Sequence, residues 1–131
     1  MKYVSRDGQS ARERGRAAEA LAAAWLEGQG FAVLARNHAT RHGEVDLVCR
    51  EGATVCFVEV RSRSRLDYGT PAASVDRAKA RRVVAAARDW ALRNGGLDQA
   101  MRFDVLAVDL SGGAARFELI RHAFDAEGRP V

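Results

Sequence analysis

The amino-acid sequence predicts an α/β fold in which a mixed central sheet is flanked by helices. Three observations carry this expectation. Two stretches repeat apolar residues at the helical period, and five shorter stretches have strand character. The stretches follow one another as a helix, three strands, a helix and two strands, an order that suits helices packed on one sheet. The chain has 131 residues, enough for a single domain over 1–131 and too few for two.

Residues 1–9 carry no pattern and read as a loose arm. Ser10 and Glu13 then form an S-x-x-E capping box, a helix start. The helix is expected to run to about Gln29, with Ala18, Leu21, Ala22 and Trp25 on its buried stripe and Gly28 and Gly30 at its end. Phe31 to Arg36 is short and β-compatible, and Asn37 to His42 reads as a polar loop. Gly43 to Arg50 (GEVDLVCR) alternates as a strand, and Thr54 to Arg61 (TVCFVEVR) is a second strand rich in branched residues. Thr70-Pro71 is a cap followed by proline at the first helical position. The second helix should then run to about Arg93, stopped by Gly95-Gly96. Phe103 to Leu110 is apolar on both faces, as in a central strand. Arg116 to Ile120 is a last strand, and the tail from Asp125 reads as loose.

Composition narrows the function classes. A hydrophobic fraction of 47% and a charged fraction of 29% are ordinary for a water-soluble domain. No apolar run reaches the roughly 20 residues of a membrane span, and the N-terminal stretch lacks the apolar core of a secretory signal. Cys49 and Cys56 make neither a disulfide framework nor a zinc pattern. They read as buried, reduced thiols in a cytoplasmic protein. The net charge is +4, with 19 Arg and two Lys, Lys2 and Lys79. Arginine forks around phosphate, so a nucleic acid is the expected partner.

The chemistry concentrates between Gly43 and Arg63. Alternation puts Glu44, Asp46 and Val48 on one strand face and Phe57, Glu59 and Arg61 on one face of the next. Val45, Leu47 and Cys49 occupy the opposite face. A two-residue turn at Gly52-Ala53, with Gly at the position needing positive φ, pairs Cys49 with Cys56, Asp46 with Glu59 and Glu44 with Arg61, while a register shifted by two would keep the acids on one face and make their contact diagonal. Facing carboxylates repel unless a cation lies between them. Mg²⁺ and Mn²⁺ prefer such oxygen donors. Arg63 and Arg65, leaving the acidic strand, are placed for phosphate, and Arg77, Arg81 and Arg88 repeat along one helix face. His38 and His42 read as exposed loop residues, Trp25 and Trp90 as core, and Asp104 as structural.

Several stretches together resemble the YraN-like family of small bacterial proteins. They are GRAAEALAAAWL (Gly15 to Leu26), GFAVLARN (Gly30 to Asn37), GEVDLV (Gly43 to Val48), FVEVRSR (Phe57 to Arg63), the Gly69-Thr70-Pro71 turn with Val75 and Lys79, and RFDV (Arg102 to Val105). That family in turn resembles archaeal Holliday junction resolvases and the PD-(D/E)xK, restriction-endonuclease-like nucleases. The resemblance implies a restriction-endonuclease-like fold and metal-dependent cleavage of DNA, including branched DNA, for which a homodimer would be suited. It implies that Glu19, Asp46 and Glu59 are acids that bind Mg²⁺ or Mn²⁺. Arg61 stands where the motif normally has lysine. Arginine cannot give up its proton, although it can clamp a phosphate. Lys79, on the second helix, is a candidate for the missing ammonium. The alternative reading is a nucleic-acid-binding scaffold that keeps the fold without the chemistry.

Overall fold

The structure is a computed structural model that describes residues 11–63 and 69–131. Its elements are α1 (Ala11–Gly28), β1 (Ala32–Thr40), β2 (Gly43–Glu51), β3 (Thr54–Arg63), a 3₁₀ turn (Ala72–Ser74), α2 (Arg77–Arg93), β4 (Met101–Asp109) and β5 (Arg116–Phe124). The five strands lie in the order β1-β2-β3-β4-β5. Neighbours pair antiparallel except β3 and β4, which run parallel. A parallel pair needs a crossover, and α2 supplies it. This is the mixed α/β sheet that the sequence predicts, with a layout consistent with a restriction-endonuclease-like domain.

The two helices cover opposite faces. Against α1 pack Leu47, Cys49, Cys56, Val58, Leu106 and Val108. Against α2 pack Val45, Val48, Val55, Phe57, Phe103 and Val105. Burial on both faces explains why β4 reads as a continuous apolar run. Cys49 and Cys56 are buried cross-strand partners, as expected, and are not bonded to each other in the structure. Burial pushes the thiols up to about 12 and about 11, so neither supplies a thiolate near neutral pH.

Several details differ from the sequence expectation, among them that β4 begins at Met101 and β5 runs on to Phe124. The Asn37 to His42 stretch is not a loop: β1 runs to Thr40 and closes a two-residue hairpin onto Gly43. His38 therefore lies in a strand, where its Nε2 is 2.9 Å from Asp89 Oδ2 on α2. The second helix begins at Arg77 with Asp76 as its cap, accepting from the Lys79 N–H at 2.8 Å. Thr70 instead caps the preceding 3₁₀ turn, accepting from Ala73 N–H. On α1 the buried stripe is Ala18, Ala22, Ala23 and Leu26, while Leu21 is 39% exposed. After β5 the chain turns back. Asp125 accepts from the Glu127 and Arg129 N–H groups, and Pro130 bridges to Phe124. The Ser10 cap lies outside the described residues.

Candidate active site

The sheet is forked. The β2–β3 ladder runs from Glu51 opposite Thr54 to Leu47 opposite Val58 and ends there. Beyond that point β2 stays paired only with β1, out to Thr40 opposite Gly43. Over the same length β3 stays with β4, out to Arg63 opposite Asp109. Asp46 and Glu59 are the first residues past the end of the shared ladder, at the crotch of the fork.

Where the ladder runs its register is the expected one, with Cys49 opposite Cys56 and Gly52 at the required positive φ of 60°, while the expected Asp46–Glu59 pair falls just beyond it. The strict alternation is not kept. Val45 belongs to the core under α2, while Leu47 belongs to the core under α1, so β2 rotates at Asp46. The physical reason is a hydrogen bond. The Asp46 carboxylate turns toward β3 and accepts from the Val60 main-chain N–H at 2.8 Å, taking the place of a ladder acceptor. On the other side of β2, Asn37 adopts φ 51°, a left-handed conformation that asparagine tolerates. The rotation overturns the pairing expected between Glu44 and Arg61. Glu44 sits opposite Ala39 at the edge of a cavity on the α1 side. Arg61 instead places Nη1 3.8 Å from Glu59 Oε2.

Glu59 is the electrostatic centre. Its side chain is only 2% exposed, and Lys79 Nζ on α2 lies 3.2 Å from Oε2. Its other oxygen, Oε1, is buried and has no hydrogen-bond donor among the described residues. Burial, and next the adjoining Asp46 carboxyl, push the Glu59 pKa up to about 8 against the opposing pull of Lys79. Two carboxylates are both acceptors, so Asp46 and Glu59 attract each other only with a proton or cation between them.

Glu19 approaches Asp46 from the α1 side. Burial, Asp46 and Glu44 raise its pKa, and the Asn37 amide and Arg16 oppose them. Glu19, Asn37, Glu44, Arg16 and Gly15 line a cavity of about 370 Å³. The structure thus brings Asp46, Glu59, Lys79 and Arg61 together, with Glu19 one step removed. Among the described residues, no three of His, Cys, Asp and Glu converge closely enough to form a finished metal cage.

Of the other candidates, Arg63 donates to the Gly69 carbonyl at 2.8 Å, which ties the end of β3 to the approach to α2. Arg65 lies outside the described residues. Arg77, Arg81 and Arg88 are exposed along α2. Trp25 stacks on Phe117 and Trp90 packs edge-on to Phe57, both as core residues. Asp104 is fully buried and held by Arg102 and the His122 N–H, a structural role. Sequence reasoning gave little weight to Asn37 and Gly43. The available signals were the asparagine beside a strand and the glycine that opens GEVDLV.

Comparison with known proteins agrees with the motif reading at the level of family. The model of the Uncharacterised protein family UPF0102 matches residues 18–108, which include Glu19, Asp46, Glu59, Arg61 and Lys79. A UPF0102 protein of Anaeromyxobacter sp. strain Fw109-5 is 64% identical over 119 residues, 91% of this chain and 90% of that one. A UPF0102 protein of Anaeromyxobacter dehalogenans is 57% identical over 124 residues, 95% of this chain and 92% of its own. One from Desulforapulum autotrophicum is 42% identical over 113 residues, 86% and 93% of the two chains. No helix among the described residues is long and apolar enough to cross a membrane. The chain belongs to the UPF0102 family, the YraN-like proteins that its sequence motifs resemble.

Proposed function

We propose that the protein is a Mg²⁺- or Mn²⁺-dependent nuclease that hydrolyses phosphodiester bonds in DNA, with branched DNA among its substrates. The observation that carries the proposal is the buried Glu59 carboxylate, with one oxygen lacking a donor among the described residues, set against Asp46 where the sheet forks. Burying a carboxylate costs several kcal/mol, on the order that real proteins show after relaxation. A strand that could carry valine at Glu59 gains nothing in stability from an acid there.

The donor set fits a hard divalent cation. Asp46 and Glu59 offer carboxylate oxygens, the ligands Mg²⁺ and Mn²⁺ favour, and Glu19 is near enough to complete the set from α1. When bound, such an ion supplies Lewis acidity toward a phosphoryl oxygen and lowers the pKa of water. The remaining work falls to the chain's own residues. Lys79 Nζ, 3.2 Å from Glu59, provides an ammonium that can hold or pass a proton beside the acids. Arg61 keeps its charge and holds the phosphate, with its side chain 37% exposed at the site's edge. The lysine function is thereby carried by α2, and the arginine on the strand becomes a fixed phosphate ligand. Arg63 and the exposed arginines of α2 extend the basic surface for a polyanion, and Arg65 adds a further cation to the same stretch of sequence. Symmetric cutting of a branched junction takes two copies of the site.

A second reading, a nucleic-acid-binding scaffold without catalysis, draws on two observations. Arg61 replaces the usual lysine, and Glu19 does not close with Asp46 and Glu59 into a finished cage. The test is Mn²⁺-dependent cleavage of linear and branched DNA. Wild type should cut at least one substrate, and Arg61→Lys should keep or raise that activity. Arg61→Ala should lower it about 10²–10³-fold, and Lys79→Met should lower kcat about 10²-fold or more with little change in KM. Wild type and Arg61→Lys that bind DNA yet cut nothing would put the scaffold in place of the nuclease.

A further inference from the structure

The β1–β2 arm of the fork has a tip, and its position is fixed by packing. Gly43 closes the hairpin, and a Cβ added there would stand 2.0 Å from the Arg82 main-chain oxygen. The hairpin therefore rests directly on the backbone of α2, an approach only glycine permits. The turn itself is held by Thr40, whose Oγ1 donates to the Gly43 carbonyl and accepts from the His42 N–H.

This contact gathers cations. Arg41 and His42 are exposed on the tip, and Arg82 is exposed where the tip meets the helix. Among the described residues, neither Arg41 nor Arg82 has an acidic partner within ion-pair distance. By contrast, Arg93, Arg102, Arg121 and Arg129 are all engaged with carboxylates. Arg82 follows Lys79 by three residues, so the two are neighbours on one helix surface. Lys79 thus stands at the acid pair, and Arg82 stands one turn further along α2, where the hairpin that carries Arg41 meets the helix. Nearby acids do not cancel these charges. Glu44 lies on the α1 side beside Arg16, and Asp89 is taken by His38 and Arg93.

We infer that Arg41 and Arg82 form a second phosphate-binding locus, which holds the backbone of a nucleic-acid strand away from the acid pair. The inference rests on the nuclease reading for its partner and deepens it. The spacing suits that partner. Asp46 lies three residue steps along β2 from Gly43, a rise of about 10 Å, which corresponds to about three nucleotides at roughly 3.4 Å per nucleotide. The tip would thus set where along a strand the acids act, while Arg61 and Arg63 flank the same acids on the β3 arm. Phosphate held on both arms would align the strand across the crotch, as positioning requires.

The test is binding of a fluorescent DNA duplex at several salt concentrations, without divalent metal, by wild type and the Arg41→Ala/Arg82→Ala variant. The variant should bind at least tenfold more weakly at low salt. Its slope of log affinity against log salt should be shallower by about 1–2, one lost phosphate contact per arginine removed. Mn²⁺ affinity and circular dichroism should be unchanged, since both side chains are exposed. A duplex with neutral methylphosphonates about three nucleotides to either side of the cut should erase the difference between the proteins. Equal affinity and slope for wild type and variant overturn the locus and leave the nuclease reading standing. A wild type that binds no nucleic acid at low salt overturns both. Binding with the predicted loss, but no cleavage of any substrate, supports the locus and removes only the catalysis.

Discussion

At the scale of residues, Glu59 opposes the stability of the fold it occupies. Its pKa is raised to about 8 by burial and by Asp46, so the metal-free fold holds a proton there more tightly than the unfolded chain does. A raised carboxyl pKa contributes fully below the ordinary value near 4.5, and the contribution is lost as pH rises toward 8. Glu59→Gln removes the charge and keeps the shape. In the presence of a chelator, its melting temperature should equal wild type near pH 4 and exceed it by a few degrees, about 2–8 °C, near pH 8. Thermal scans at the two pH values check this, and equal melting at both would mean that the buried charge costs nothing. The acids themselves were legible, because alternation and the Gly52 turn put Asp46 and Glu59 at matching strand positions. Lys79 could be named from the sequence only as a candidate for the missing ammonium, without its place beside Glu59. It is 20 positions from Glu59 in the chain, and only the crossover of α2 brings the two within 3.2 Å. The rotation of β2 at Asp46 was also invisible, since it depends on a side chain competing for a ladder hydrogen bond.

At the scale of elements, the hairpin β1–β2 and α2 form one unit joined at Gly43. Gly43→Ala would drive a methyl group into the Arg82 carbonyl, and backbone cannot swing aside as a side chain can. The variant should lose about 1–3 kcal/mol, the usual range for overpacking. Its DNA cleavage should also fall, because Lys79 moves with α2. Denaturant unfolding monitored by circular dichroism measures the first effect. An unchanged midpoint would show that the hairpin does not bear on the helix. Element ends were the least legible feature here. His38 and Ala39 look polar and loop-like beside Asn37, yet pairing with Val45 and Glu44 makes them strand. Thr70-Pro71 carries the signature of a helix start and does begin a turn. Asp76 nevertheless caps the helix proper, because it alone lies where the Lys79 N–H needs an acceptor.

At the scale of the molecule, a mixed sheet flanked by helices was readable because each strand carries its burial in its own pattern, as in the unbroken β4 and the alternating β2 and β3. The strand order was not, since it depends on which ladders form between distant segments. The fork was not readable. It arises where two ladders stop sharing a strand boundary, and no local pattern marks that point. The fork matters because it opens the sheet edge at Asp46 and Glu59 while both arms remain anchored, one by α2 and the other by β4. Calorimetric titration of Mn²⁺ into wild type, Asp46→Asn and Glu59→Gln tests most directly whether these acids form a metal site. Wild type should bind Mn²⁺ saturably, and each variant should bind at least tenfold more weakly, about 1.4 kcal/mol. Equal Mn²⁺ affinity in all three folded proteins, or no binding by wild type, would contradict a metal site at these acids.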